Sequence, residues 1–278
     1  MRILITGAKG QLGRALQARF ADHELLALDR DELDITDRGA VLALADEGPE
    51  LVLHAAAMTN VDGCETDPEG AYAVNMLGTR YLCELAQRME APLLYVSSDY
   101  VYDGRKGAPY WEWDATQPLS VYARSKLAGE AEVRTLLRRF YIVRTAWLYG
   151  PGGNNFPRKM LALSERHPTL RVVTNEAGHP TYAPHLADAI DRLVRAQAFG
   201  LYHLVNEGCV SRYDFARAIF EVAGKGDYPV APADSYPRAA TPPERVELST
   251  FAARQVGAGL PTWQAGLAAW FAAEGDNA

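Results

Sequence analysis

An apolar run, Arg2-Ile3-Leu4-Ile5-Thr6, leads directly into Gly7-Ala8-Lys9-Gly10-Gln11-Leu12-Gly13. No other stretch restricts the fold as strongly. A short continuous apolar run reads as a strand covered on both faces, which is a strand of a parallel sheet. Residues 11–20 then carry Leu12, Ala15, Leu16 and Phe20 at helical spacing. Glycines where a strand becomes a helix permit a tight turn, close approach of a phosphate to the backbone, and close helix–strand packing. The helix N-terminus supplies unpaired N–H groups to that phosphate. Gly7, Gly10 and Gly13 therefore predict a dinucleotide site, with the spacing G-x-x-G-x-x-G in place of the commoner G-x-G-x-x-G.

The alternation continues. Residues 24–28, 51–54, 93–97, 141–144 and 201–204 read as further strands. Residues 68–89 read as one long helix with Pro68 near its start and Tyr72, Leu77, Tyr81, Leu82 and Leu85 in apolar stripes. Residues 119–140 read as another. Strands alternating with helices predict an α/β fold, a Rossmann-type doubly wound parallel sheet. After Gly150 the rhythm loosens. Helices are expected at 156–166 and 184–197, an extended segment at 170–173, and a helix over 211–223 capped by Ser211. Residues 228–248 are rich in proline and lack a period, and 260–273 read as a last amphipathic helix. The expected division is a dinucleotide-binding domain, 1–150, to which 182–206 returns. Residues 151–181 and 207–278 form a smaller C-terminal substrate-binding lobe over the carboxyl ends of the strands, where open α/β sheets bind ligands.

Of 278 residues, 48% are hydrophobic, ample for a packed core, and 28 basic against 35 acidic side chains give a net charge of -7. That balance disfavours a nucleic-acid binder, which needs a basic surface. Cys64, Cys83 and Cys209 have no metal-like spacing and read as free thiols of a reducing cytoplasm. No run is long enough for a membrane span. A first strand at 2–6 leaves no room for a signal peptide.

Asp29 ends the second strand, where an acidic residue meets the adenosine ribose hydroxyls, and Arg30 beside it suits a 2′-phosphate. The cofactor expected is thus NADPH or NADH. Tyr122-Ala123-Arg124-Ser125-Lys126 supplies proton chemistry. Tyrosine is a weak acid with a pKa of about 10, and a nearby ammonium lowers it. Residues four apart on a helix share a face, so Tyr122 and Lys126 can point into one cleft. Tyr102 and Lys106 repeat the spacing, but an Asp103-Gly104 turn signal lies between them, so the chemistry is assigned to the second pair. Ser97 and Ser98 end the fourth strand, where a hydroxyl can hydrogen-bond the oxygen of a carbonyl that accepts hydride.

These stretches together resemble the extended short-chain dehydrogenase/reductases and, among them, the dTDP-4-dehydrorhamnose reductases. The resemblance rests on residues 5–13, 33–37, 54–62, 73–75, 97–104, 122–130 and 144–150. It implies that Gly7, Gly10, Gln11, Leu12 and Gly13 line the pyrophosphate, that Asp34 and Ile35 flank the adenine, and that Ala55, Ala56 and Ala57 lie against the cofactor. Ser98 stands where the family usually has Thr. Tyr122 is implied as the acid. Lys126 tunes it and holds the nicotinamide ribose. Thr59, Val61, Tyr100 and Trp147 are similar to the sugar-pocket residues, a pocket that Ser98 and Tyr122 also line.

Two stretches depart from the family pattern. Ala240-Thr241-Pro242-Pro243-Glu244-Arg245 replaces an Ala-Arg-Arg-Pro-like stretch associated with the nucleotide diphosphate, leaving Arg238 or Arg245 to substitute. Arg14 stands near where some members place a carboxylate of a dimer-bridging Mg²⁺ site, and no metal is expected to take part in the chemistry.

The resemblance implies reduction of the 4-keto group of dTDP-4-dehydro-6-deoxy-L-mannose to dTDP-L-rhamnose, the last step of dTDP-rhamnose biosynthesis, in a cytoplasmic enzyme that binds neither nucleic acid nor membrane, with a homodimer as the oligomer to test. Two alternatives stay open: another nucleotide-sugar epimerase or reductase of the superfamily, and a non-catalytic subunit resembling the regulatory beta subunit of methionine adenosyltransferase. Trp111 and Trp113 are candidates for a loop covering the site.

Overall fold

A computed structural model of the chain describes residues 1–275. Strand β1 (Arg2–Thr6), helix α1 (Gln11–Arg19), β2 (Glu24–Leu28), α2 (Arg38–Ala43) and β3 (Leu51–His54) open the expected α/β alternation. Helices α3 (Val61–Thr66), α4 (Pro68–Tyr72) and α5 (Thr79–Arg88) precede β4 (Leu93–Ser98). Then come α6 (Val121–Leu136), β5 (Phe140–Thr145), β6 (Leu148–Tyr149), α7 (Phe156–Ser164), β7 (Leu170–Val173), β8 (Ala177–Gly178), β9 (Thr181–Tyr182) and α8 (Ala183–Ala196). The chain continues through β10 (Gly200–His203), β11 (Val210–Ser211), α9 (Arg212–Val222), β12 (Val230–Ala233), α10 (Phe251–Gln255) and α11 (Trp263–Gly275).

The main sheet has six strands in the order β2-β1-β3-β4-β5-β10, and every neighbouring pair is parallel. Its order reverses between β1 and β3, which opens a crevice at the carboxyl ends of those strands. Side chains alternate between the two faces as a strand requires. Ile3, Ile5, Leu51 and Leu53 pack with α1 and α8 on one side. Leu4, Val52 and Tyr95 pack with α2, α5 and α6 on the other. β10 lies in this sheet although it follows the irregular segment from Gly150 onward. A separate cluster of Tyr149, Met160, Phe215, Phe220, Leu267 and Trp270 forms the core of the C-terminal elements. The last three residues of the sequence, assigned above to the substrate lobe, lie outside the described residues.

The long helix expected over 68–89 is interrupted. Residues Ala73–Gly78 form a π-helical segment between α4 and α5. The wider turn rotates Leu77 out of its apolar stripe, so that it is 36% exposed. The helix expected over 119–140 is shorter at both ends. Ser120 caps it by accepting the Ala123 N–H, and Leu137 is already extended as the chain turns back into β5. Leu260 is not in the last helix, because Pro261 disfavours a helical residue before it. That helix is also apolar around most of its surface, although only Gly266, Leu267 and Trp270 of it are buried. β12, hidden in sequence by Pro232, pairs with β7 in a two-stranded sheet, an edge position that tolerates proline.

Candidate active site

A cleft of about 1240 Å³ runs along the carboxyl ends of β1, β3 and β4. Its first wall is the glycine turn. Gly7 has φ +71°, and a Cβ there would meet the Ala56 backbone N at 2.7 Å. A Cβ on Gly13 would lie 2.1 Å from the Gly7 carbonyl. No side chain fits at Gly7 or Gly13, so backbone and the first N–H groups of α1 form much of the surface that a pyrophosphate would meet. Leu12 is buried behind it. Gln11 takes a second part: its Oε1 accepts the Gly150 N–H at 2.8 Å and the Asn155 amide at 3.1 Å.

The adenosine end is polar. Asp29 accepts the Lys9 N–H at 2.7 Å on one oxygen and the Arg30 N–H at 2.8 Å on the other, so it braces the glycine turn from the end of β2. Arg30 is exposed at the same rim. Asp34 accepts the N–H and hydroxyl of Thr36, which hold its carboxyl below the ordinary range. Ile35 is buried against Gly78. Ala55, Ala56 and Ala57 leave β3 along the floor, and the Ala55 N–H is tied back to the Thr6 carbonyl.

The reactive end is built on β4 and α6. Ser98 ends β4 and Tyr122 stands in the first turn of α6, with Lys126 one turn on. All three line the cleft, as do Thr59, Val61, Tyr100 and Trp147. Tyr100 meets the Tyr122 ring edge-on, with centroids 5.9 Å apart. The Ser98 hydroxyl faces the Tyr122 phenol and favours its ionised form, but burial is the larger effect and pushes the Tyr122 pKa up. This differs from the lowering expected from a nearby ammonium. Lys126 is itself buried, and burial brings it down to about 7 against the opposing charge of Glu130. Its Nζ sits over the Tyr95 ring, 4.2 Å from the centroid. The other tyrosine–lysine pair is separated: the Tyr102 hydroxyl donates to the Trp111 carbonyl, while Lys106 donates to the Pro109 carbonyl at 2.7 Å.

Residues 1–275 match the family model described as RmlD substrate binding domain. A dTDP-4-dehydrorhamnose reductase of Mycobacterium tuberculosis is 41% identical over 290 aligned residues, covering 99% of this chain and 94% of that protein. The chain belongs to the dTDP-4-dehydrorhamnose reductase family. A member from Aggregatibacter actinomycetemcomitans is 43% identical over 232 residues, 80% of this chain and 79% of its own length. The crystal structure of the Bacillus anthracis dTDP-4-dehydrorhamnose reductase in complex with NADP superposes with a TM-score of 0.94 at 35% identity, covering 98% of each chain.

Several groups of this reductase-family site carried no assigned role in the sequence reading. Asn75, in the π-helical segment, accepts the Met58 N–H at 2.9 Å and donates to Ser125 at 2.9 Å, joining the loop after β3 to α6. Its place in Ala73-Val74-Asn75 was the available signal. Asp99 is 2% exposed and receives the Ser98 hydroxyl at 3.0 Å. Arg212 lies over the Trp147 ring at 3.5 Å and forms an ion pair with Glu176 at 3.8 Å. Trp147 is held between this guanidinium and Gly178, where a Cβ would come within 2.9 Å of the indole, and its φ of +42° is a conformation that costs a bulky residue energy. Nothing in the local sequence marks Arg212 as a cleft residue.

Arg238 and Arg245, expected to substitute for the missing arginines, pair instead with Glu176 and Glu247, and neither lines the cleft. The Trp111–Trp113 loop does not line it either: the two rings stack on each other, Trp111 meets Phe251 edge-on, and Trp113 is 70% exposed. Among the described residues no group of three or more His, Cys, Asp or Glu side chains is arranged to hold a metal ion.

Proposed function

We propose that this chain reduces the 4-keto group of dTDP-4-dehydro-6-deoxy-L-mannose to dTDP-L-rhamnose with NADPH or NADH, the last step of dTDP-rhamnose biosynthesis. The observation that carries the proposal is the convergence of Ser98, Tyr122 and Lys126 on a cleft whose far end is the glycine turn of Gly7, Gly10 and Gly13. Relatives named as reductases favour this reading over an epimerase or a regulatory subunit.

The glycine turn with Gln11, Leu12 and the α1 N-terminus holds the cofactor pyrophosphate. Ile35 and Asp34 take the adenine, Asp29 and Arg30 the ribose side, and Ala55, Ala56 and Ala57 support the middle. The nicotinamide, when bound, supplies the hydride for C4 of the sugar. Tyr122 completes the reduction by giving its phenolic proton to O4. Burial keeps that proton on the oxygen until negative charge develops beside it. Lys126 brings an ammonium to the same face of α6, where it favours the phenolate left behind and holds the nicotinamide ribose. Thr59, Val61, Tyr100 and Trp147 surround the sugar, and Arg212, lying over the Trp147 ring, adds a positive charge to the same wall.

The division into a dinucleotide domain of 1–150 with 182–206, and a substrate lobe of 151–181 and 207–278, belongs to this proposal. β10 in the main sheet and the separate C-terminal core support it. A cytoplasmic location and a homodimer without nucleic-acid or membrane partners also belong to the proposal. Among the described residues no helix is long and apolar enough to cross a membrane, and Cys64, Cys83 and Cys209 are unbridged.

The test follows reduced-nicotinamide absorbance with the purified protein, each cofactor and the ketosugar. Tyr122→Phe is expected to lower kcat by about 10²- to 10⁴-fold while leaving cofactor affinity intact. Near-parental turnover in that variant would remove Tyr122 as the acid.

A further inference from the structure

Ser98 has one hydrogen to give. Its Oγ accepts the Tyr100 N–H at 3.2 Å and stands 3.0 Å from Asp99 Oδ1. A serine hydroxyl donates once and accepts twice, whereas an ionised carboxylate only accepts. If Asp99 is ionised, the Ser98 hydrogen must point at it, and Tyr122, which faces Ser98, can then donate to Ser98. Both donors of the reactive wall are thereby turned away from an incoming ketone. If Asp99 carries a proton, it can donate to Ser98 Oγ, and both the Ser98 and Tyr122 hydrogens are released toward the cleft.

We propose that Asp99 is a positioning residue that sets the direction of this chain: as a carboxylic acid it turns the Ser98 O–H toward the substrate's 4-keto oxygen, and as a carboxylate it withholds it. The inference rests on the ketone reduction proposed above. No covalent step is added, because only the orientation of existing O–H groups changes.

The surroundings make both forms accessible. Asp99 follows β4 in a short helical turn, is almost wholly buried, and lies on the cleft wall. Burial raises its pKa to about 7, partly opposed by the Ser98 hydrogen bond, by the Arg212 charge from α9 and by the N–H groups of Asp99 and Tyr100. The other titratable groups facing it are Tyr122 on α6, Tyr100 on its own turn, and Cys209 just before β11. Tyr122, Tyr100 and Cys209 are each pushed upward by burial and stay neutral through the neutral range. Arg212 remains the one positive charge acting on Asp99 among these groups. Lys126 titrates near the same pH, at about 7, so the informative quantity is a difference in steepness rather than the position of one limb.

The experiment measures kcat for the ketosugar with saturating NADPH between pH 6 and pH 10 for the parent, Asp99→Asn and Ser98→Ala. Asparagine is neutral and can donate to Ser98 at every pH. Alanine at 98 keeps the carboxyl but removes the hydroxyl through which it acts, and it provides a second reading should Asp99→Asn fail to fold, which cofactor-quenched tryptophan fluorescence would reveal. The limiting slope of log kcat against pH is expected to be one unit shallower in each folded variant than in the parent. A folded variant of either kind with the parental slope overturns the inference while leaving the reduction intact. A parent that turns over at no pH overturns both.

Discussion

Glu130→Gln tests whether the reactive face of α6 is fixed by a buried ion pair. Glu130 Oε1 accepts from Arg144 Nε at 2.8 Å and from the Ser97 hydroxyl at 2.6 Å, while Oε2 accepts from the second Arg144 nitrogen at 2.6 Å. Both side chains are nearly inaccessible, at 2% and 3% exposure. Burial pushes the Arg144 guanidinium down, and Glu130 and Tyr102 more than offset that. Glutamine has one accepting oxygen and one donating nitrogen in this geometry. Whichever way the amide is turned, a donor meets a donor, and the arginine loses its counter-charge.

Breaking one side of a buried pair costs about 3–5 kcal/mol. At about 2–4 °C per kcal/mol for a chain of this size, thermal unfolding followed by circular dichroism should move down by about 6–20 °C. Replacing both partners with apolar groups, Glu130→Leu with Arg144→Met, should melt above Glu130→Leu alone, because no uncompensated charge is left. A Glu130→Gln protein melting within about 2 °C of the parent would refute the reasoning, as would a double variant less stable than the single.

Gly129→Ala sets two effects of opposite sign against each other. Alanine favours the helix by about 1 kcal/mol, but its Cβ would lie 2.5 Å from the Asn75 carbonyl and 2.4 Å from the Tyr95 hydroxyl. Overpacking against backbone costs about 1–3 kcal/mol, so a net loss in the urea midpoint is expected, and a gain would contradict it. Arg30→Ala should raise the KM for NADPH about tenfold or more while sparing NADH, since a charge-assisted contact to a 2′-phosphate is lost. An unchanged ratio of the two would take Arg30 out of cofactor discrimination.

The parts legible in sequence were those with a strong local cause. The β1–glycine turn–α1 unit is specified by an apolar run and by backbone positions that admit no side chain, so both its structure and its place in the cleft could be read from Gly7, Gly10 and Gly13. The Tyr122–Lys126 face needed only helical periodicity. Ser211 likewise accepts the Asp214 N–H at the start of α9, as its residue type and place suggested. What stayed hidden depends on residues distant in sequence. Asp99 reads as an ordinary polar residue until β4, α6 and α9 surround it, and burial reverses the direction in which Tyr122 was expected to shift. Arg212 enters the cleft only because β11 pairs with β8 and brings α9 beside Trp147. The π-helical segment left no trace in the apolar pattern, because one wide turn within a helix displaces a single stripe residue, Leu77, and no more.

That wide turn fixes chain length where a helix would otherwise tolerate drift. A residue deleted from 73–78 would return the segment to ordinary α-helix with its two flanking turns still in phase. Leu82, Leu85 and Ala86 would stay against the sheet, but Asn75, whose carbonyl accepts from the Thr79 and Tyr95 hydroxyls and whose side chain joins Met58 to Ser125, would lose its place. Descendants of this chain can therefore lengthen or shorten the connections around Gly107 or Gly224, where added side chains meet open space, but not this stretch. It acts as a ruler: the residue count between Pro68 and Arg88 keeps the loop after β3 and the reactive face of α6 in step.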